Sequence, residues 1–196
     1  FANYWMHNGF VNIDNVKMSK SLGNFITVHD ALKTIDGQVL RFFFATQHYR
    51  KPINFTEKAV RDAETNLKYL KNTYEQPFTG EVDPADLQGF VDKFIAAMDE
   101  DINAANGITV VFELAKWVNS GHYNKDVKDA LTKMLEVFGV VFVEEVLDAD
   151  IEALIAERQE ARAKKDFARA DAIRDELAAQ GIKLLDTKEG VRWTRD

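Results

Sequence analysis

Thr56-Glu57-Lys58-Ala59-Val60-Arg61-Asp62-Ala63-Glu64-Thr65-Asn66-Leu67-Lys68-Tyr69-Leu70 is the stretch from which the fold class follows. A Thr able to cap stands just before an acidic first turn, and apolar residues then recur at helical spacing. The pattern predicts a helix from Glu57 to about Glu75, with Val60, Leu67, Tyr69 and Leu70 on its buried side. Gln76 to Val82, with Pro77 and Gly80, reads as a loop. Asp83-Pro84 then opens another helix with Pro in its favoured first position, and Phe90, Phe94, Ile95 and Met98 follow at helical spacing. Two further helices are expected at about 104–120 and 124–141, with Asn103 as a cap for the first. The middle of the chain is therefore expected to be an α-helical bundle.

Outward from the bundle the character changes on both sides. Upstream, Phe10-Val11-Asn12-Ile13-Asp14 reads as a short strand entering a turn, and Lys17 to Gly23 as a polar loop. Thr27 caps a short helix, with Asp30 three positions on imitating a capping box. Asp36 caps a second helix through Leu40, Phe43 and Phe44, expected to end near Lys51-Pro52. Trp5, Trp117 and the Phe42-Phe43-Phe44 run are expected in the core. Downstream, 151–165 and 168–180 are helical, and Gly181 stops the second. Ile182 to Leu185 and Val191 to Trp193 predict two strands around a turn from Asp186 to Gly190. The whole is mainly α, divided as 1–55, 56–148 and 149–196.

The 196 residues include no Cys, so a disulfide scaffold, a Cys-ligated metal and thiol catalysis are excluded on this chain. His7, His29, His48 and His122 are scattered, and no metal site is expected. No run approaches about 20 apolar residues, the length that spans a bilayer. The net charge of −7 is uneven: 7 basic against 4 acidic side chains in 1–60, 8 against 18 in 61–150, and 10 against 10 in 151–196. An acidic middle opposes non-specific binding to polyanions, while the two ends could still meet one. The acidic run Asp99-Glu100-Asp101 is expected to be a helix-end surface, which could also orient the bundle.

Lys17-Met18-Ser19-Lys20-Ser21, followed by Leu22-Gly23-Asn24, carries the chemistry. Two ammonium groups, two hydroxyls and a flexible Gly in one short polar loop can wrap a polyphosphate and close over a nucleotide. The plain alternative is a solvated surface loop. The pentapeptide resembles the second signature of class I aminoacyl-tRNA synthetases. Its flanks, Tyr4-Trp5-Met6-His7-Asn8-Gly9-Phe10-Val11 and Gly23-Asn24-Phe25-Ile26-Thr27-Val28, are similar to the cysteinyl-tRNA synthetases. The likeness continues through Leu40-Arg41-Phe42-Phe43, His48-Tyr49-Arg50 and Met98-Asp99-Glu100-Asp101-Ile102-Asn103. It ends in Arg174-Asp175-Glu176-Leu177, Gly181-Ile182, Asp186-Thr187, Gly190 and Trp193.

The resemblance implies an ATP-dependent cysteine–tRNA ligase. Lys20 would stabilise charge as cysteine attacks the α-phosphate of Mg2+-bound ATP, assisted by Lys17 and by an ATP-binding loop that includes Met18, Ser19 and Ser21. Arg162, Phe167, Asp171 and Asp186 would contact the anticodon of the tRNA for cysteine; the bland alternative places Phe167 in the core and the others in surface ion pairs. The family's His-Ile-Gly-His signature and its zinc ligands do not occur here. The chain is thus expected to be a C-terminal fragment, inactive without the N-terminal catalytic half and cytoplasmic as part of the full enzyme. The bundle's Ala-Leu-Arg signature is degraded to Tyr69-Leu70-Lys71, and His29 stands where a basic residue is expected. Two other readings stay open. One is a cysteine-ligating paralogue acting on an amino sugar, which would lack the module that 151–196 supplies. The other is a non-catalytic tRNA-binding module.

Overall fold

The computed structural model describes residues 1–143, 149–187 and 190–195. They are mostly helical and form two compact units, Phe1–Phe142 and Val143–Asp196.

The first unit begins with a small sheet. Strand β1 (Val11–Ile13) pairs antiparallel with β2 (Val16–Lys17) across Asp14-Asn15, whose φ angles are 47° and 66°. A two-residue hairpin turn needs that left-handed backbone, and Asp and Asn tolerate it best after Gly. Strand β3 (Ile53–Phe55) lies parallel to β1 on its other side, in the order β2-β1-β3. Parallel strands require a crossover. It contains α1 (Val28–Ala31), capped by Thr27, and α2 (Gly37–Ala45), capped by Asp36. Gly9 closes the crossover's return. Its N–H donates to the Tyr49 carbonyl at 2.7 Å, and a Cβ there would lie 2.3 Å from the Lys51 carbonyl oxygen.

The bundle comprises α3 (Glu57–Tyr74), α4 (Pro84–Asp99), α5 (Ala104–Asn119) and α6 (Lys125–Val137). Each has a side-chain cap in the residue before it: Thr56, Asp83, Asn103 and Asn124. Ala63, Leu67, Leu70 and Tyr74 form the buried stripe of α3, at the three- and four-residue steps that keep one helix face together. They pack with Leu114, Val118, Leu131 and Leu135. Phe42 and Phe43 of α2 enter the same core, so sheet and bundle share one apolar interior.

Several expectations are corrected. Helix α2 ends at Ala45, short of Lys51-Pro52, and the residues beyond Pro52 form β3, too short for an alternating pattern to show. Helix α6 stops at Val137 instead of about Val141, because Gly139 turns left-handed at φ +68° with Arg41 packed where a Cβ would stand. Phe44 is exposed while Phe42 and Phe43 are buried, since three successive helical residues fan around the axis and cannot all face one core. The same fan exposes Ile95 beside buried Phe94. Trp5 is also exposed, in a segment outside any helix or strand. Tyr69 is 40% exposed; its ring stacks on Phe112 and its hydroxyl accepts from Asn119 Nδ2 at 2.7 Å.

In the second unit, α7 (Ala149–Ala163) and α8 (Phe167–Ala179) form a helical hairpin, followed by antiparallel β4 (Ile182–Thr187) and β5 (Gly190–Arg195). Ile151, Ile173, Leu177 and Ile182 form its core. The strands run further than the sequence suggests. Asp186 pairs with Val191 and Thr187 with Gly190, so Asp186 and Gly190 belong to strands and not to a turn. Among the described residues no helix is long and apolar enough to cross a membrane.

Candidate functional site

The Lys17–Asn24 loop leaves the sheet directly. Lys17 closes β2, and the Met18 N–H still donates to the Val11 carbonyl at 3.0 Å. Ser19 then turns the chain, its Oγ accepting from the Leu22 N–H at 3.3 Å and capping a 3-10 turn over Lys20–Leu22. Gly23 ends that turn at φ +69°. Asn24 ties the loop's two ends together. Its Oδ1 accepts from the Ser19 N–H at 2.9 Å and its Nδ2 donates to the Lys17 carbonyl at 3.3 Å. Ser19 and Ser21 share a hydroxyl contact at 3.1 Å.

The two lysines point to aromatic rings. Lys17 Nζ lies 3.9 Å from the centroid of Phe10, and Lys20 Nζ lies 5.5 Å from that of Phe25. Among the described residues, neither ammonium has a carboxylate within salt-bridge distance. The loop thus holds two positive charges close to exposed backbone, which suits an incoming polyanion.

Sequence reasoning missed a second cluster. Tyr49 and Arg50, just before β3, meet Asp101 at the end of α4. Arg50 Nε and Nη2 donate to Asp101 Oδ2 and Oδ1 at 2.6 and 2.8 Å, and the Tyr49 hydroxyl donates to Oδ1 at 2.6 Å. His48 Nε2 lies 3.9 Å from Oδ2. The Arg50 and Tyr49 hydrogen bonds hold the Asp101 carboxyl far below the ordinary carboxylate range, and the Asp101 bond raises the Tyr49 phenol. Asp101 and Ile102 both have positive φ, 58° and 52°, an uncommon conformation for a branched residue such as Ile. Of the acidic run, Asp101 is thus more than solvated surface.

The residues assigned to the anticodon lie on three elements of the second unit. Arg162 is exposed in the last turn of α7. Phe167 opens α8 and is 61% exposed, against its bland assignment to the core. Asp171 follows one turn later on the same face, with its Oδ1 3.6 Å from Arg174 Nη1. Asp186 stands in β4 opposite Val191; its side chain lies outside the described residues. Among the described residues no group of three His, Cys, Asp or Glu could hold a metal ion. The zinc implied by the resemblance has no donor set among them.

A lysine-bearing loop on a short mixed sheet, a helical bundle and a helix–helix–hairpin module are the parts of a class I aminoacyl-tRNA synthetase, and comparison with known proteins agrees. Residues 1–65 match the tRNA synthetases class I (C) catalytic domain, 93–144 a DALR domain, and 144–193 the cysteinyl-tRNA ligase anticodon binding domain. Tyr69-Leu70-Lys71, the degraded signature, lies outside the DALR match. A crystal structure of the Agrobacterium radiobacter K84 agnB2 LeuRS-tRNA-LeuAMS ternary complex shares the fold at TM-score 0.50 and 18% identity, covering 67% of this chain and 20% of that one.

Proteins named cysteine–tRNA ligase from Streptococcus pneumoniae serotype 4, Streptococcus mutans serotype c and Streptococcus agalactiae serotype III are 84%, 80% and 72% identical over all 196 residues. The chain belongs to the cysteinyl-tRNA ligase family. It spans 44% of the length of these relatives.

Proposed function

We propose that this chain supplies the nucleotide-closing loop and the tRNA-reading module of a cytoplasmic cysteine–tRNA ligase. The observation that carries the reading is the Lys17–Asn24 loop. Asn24 and Ser19 brace it, and among the described residues both lysines are left without a carboxylate partner, inside the segment that matches the class I catalytic domain.

In this reading the cysteine carboxylate attacks the α-phosphorus of ATP, which binds with Mg2+, and pyrophosphate leaves. Lys20 Nζ offsets the charge that develops on the phosphates, Lys17 adds a second positive charge, and Met18, Ser19 and Ser21 complete the ATP-contacting loop. This is electrostatic stabilisation, strongest where water is excluded. The cysteinyl group then passes to the terminal adenosine of the tRNA for cysteine. Arg162, Phe167, Asp171 and Asp186 read its anticodon, with a guanidinium fork, a stacking face and acceptors for base amino groups. The working parts are 1–55, 56–148 and 149–196, with the rest of the catalytic region and the thiol-selecting zinc site supplied by a partner half outside this chain.

The test is cysteine-dependent ATP–pyrophosphate exchange by a polypeptide of the relatives' full length that carries this sequence. Exchange that depends on cysteine and falls at least a hundredfold in Lys20→Ala supports the reading. Exchange unaffected by Lys20→Ala removes Lys20 from the catalytic role.

A further inference from the structure

We propose that Phe25 is a resting seat for Lys20, a positioning residue that holds the ammonium beside the loop and must be vacated as the nucleotide is engaged. The inference rests on the ATP-binding reading above and adds a residue to it.

Four observations carry it. Lys20 Nζ stands 5.5 Å from the Phe25 centroid, within the range of a cation–π attraction but at its loose end. No carboxylate neutralises Lys20 among the described residues, so the ring face is the partner that the fold gives its charge. Phe25 is 45% exposed, too open to be held there by core packing. Lys20 opens a one-turn 3-10 segment ended by Gly23 at φ +69°, whereas Lys17 sits in a strand with its ammonium 3.9 Å from Phe10. The contrast makes Lys17 the fixed end of the loop and Lys20 the end that swings.

The chemistry of the seat explains why a ring serves better than an acid. A carboxylate would pair with Lys20 and compete directly with a phosphate oxygen. A ring attracts the ammonium weakly and leaves its N–H donors without acceptors, so they remain available. The ring face is itself negative and repels an anion placed against it. Lys20 therefore leaves the face to meet a phosphate, and giving up the ring subtracts from nucleotide affinity. An exposed cation–π interaction corresponds to a factor of about two to five in an equilibrium constant.

The experiment is a Phe25 series in the same full-length polypeptide, with the KM for ATP and kcat of pyrophosphate exchange measured for each variant. Phe25→Leu is expected to lower the KM about two- to fivefold and Phe25→Trp, the stronger π face, to raise it, with kcat little changed. Phe25→Glu is expected to raise it beyond Phe25→Trp, because it creates the competing ion pair. In the 196-residue chain, the Lys20 ε-methylene protons should show an upfield ring-current shift that Phe25→Leu abolishes. A KM that does not follow the order Glu, Trp, Phe, Leu, or an absent ring-current shift, overturns the seat. Lys20→Ala separates the two levels: if it abolishes exchange while the Phe25 series is flat, the seat fails and the ATP reading stands; if exchange is unaffected by Lys20→Ala, Lys20 leaves the catalytic role and the seat falls with it.

Discussion

Arg50 grips Asp101 with two parallel hydrogen bonds of 2.6 and 2.8 Å, joining the approach to β3 with the end of α4. The pair stands between the sheet that bears the Lys17–Asn24 loop and the helical bundle. A bidentate guanidinium–carboxylate contact fixes orientation as well as distance, which a lysine could not do. Tyr49 adds a third donor to the same carboxylate. Both residues are exposed, so the pair's value lies in geometry more than in net stability.

Replacement of either partner is expected to lower Tm modestly, and Arg50→Ala with Asp101→Ala should cost less than the two single changes added together. Thermal unfolding of the four proteins in a double-mutant cycle measures this. Strict additivity would mean that the contact contributes nothing.

The same cluster sets a pH dependence. Asp101 is depressed when folded, so its contribution is present above the ordinary carboxylate value of 3.8 and is lost as pH falls below it. Tyr49 is raised when folded, so its contribution is present below the ordinary phenol value of 10.0 and is lost as pH rises beyond it. Unfolding across pH should show that Asp101→Asn flattens the acid side and Tyr49→Phe the alkaline side. Unchanged slopes on both sides would contradict the assignment.

The two units have separate apolar cores, and mutations should respect that. Leu114 and Ile173 are both fully buried. Replacement by Ala at either site should cost about 2–5 kcal/mol. Hydrogen exchange should show Leu114→Ala loosening the bundle helices and Ile173→Ala loosening α7 and α8. Loss of protection across both units from the Ile173 change alone would refute separate cores.

What is legible in the sequence is local. Thr27, Asp36, Thr56, Asp83 and Asn103 announce their helices because a cap and its helix are adjacent in the chain. The Lys17–Asn24 loop is visible for the same reason. Pairing of β1 with β3 is not, because each strand has three residues, too few to alternate, and a crossover separates them. Nor is the Arg50–Asp101 contact, whose partners lie 51 positions apart. In sequence Asn24 is only a flank of the lysine motif, and its role as the loop's brace emerges from its two hydrogen bonds. Phe167 is read from the sequence as an anticodon contact with a place in the core as the plain alternative, and its exposure at the first position of α8 removes only that alternative.

Asn24→Ala should leave Tm nearly unchanged while speeding amide exchange at Ser19, whose N–H loses its acceptor. Residue-resolved hydrogen exchange decides this. Unaltered exchange at Ser19 would mean that the loop does not depend on Asn24.

The central claim, that this chain reads a tRNA for cysteine, is tested most directly by binding. Affinity of the 196-residue chain is measured for that tRNA and for the same tRNA with its anticodon altered, at one fixed salt concentration, because electrostatic affinity depends on salt. The account predicts tighter binding to the cysteine anticodon, with the preference shrinking in Arg162→Ala and Asp186→Ala. Phe167→Ala should weaken binding by about 1–3 kcal/mol, the value of a single base–aromatic stack, with Tm unchanged. Equal affinity for both tRNAs, unmoved by all three substitutions, would contradict it.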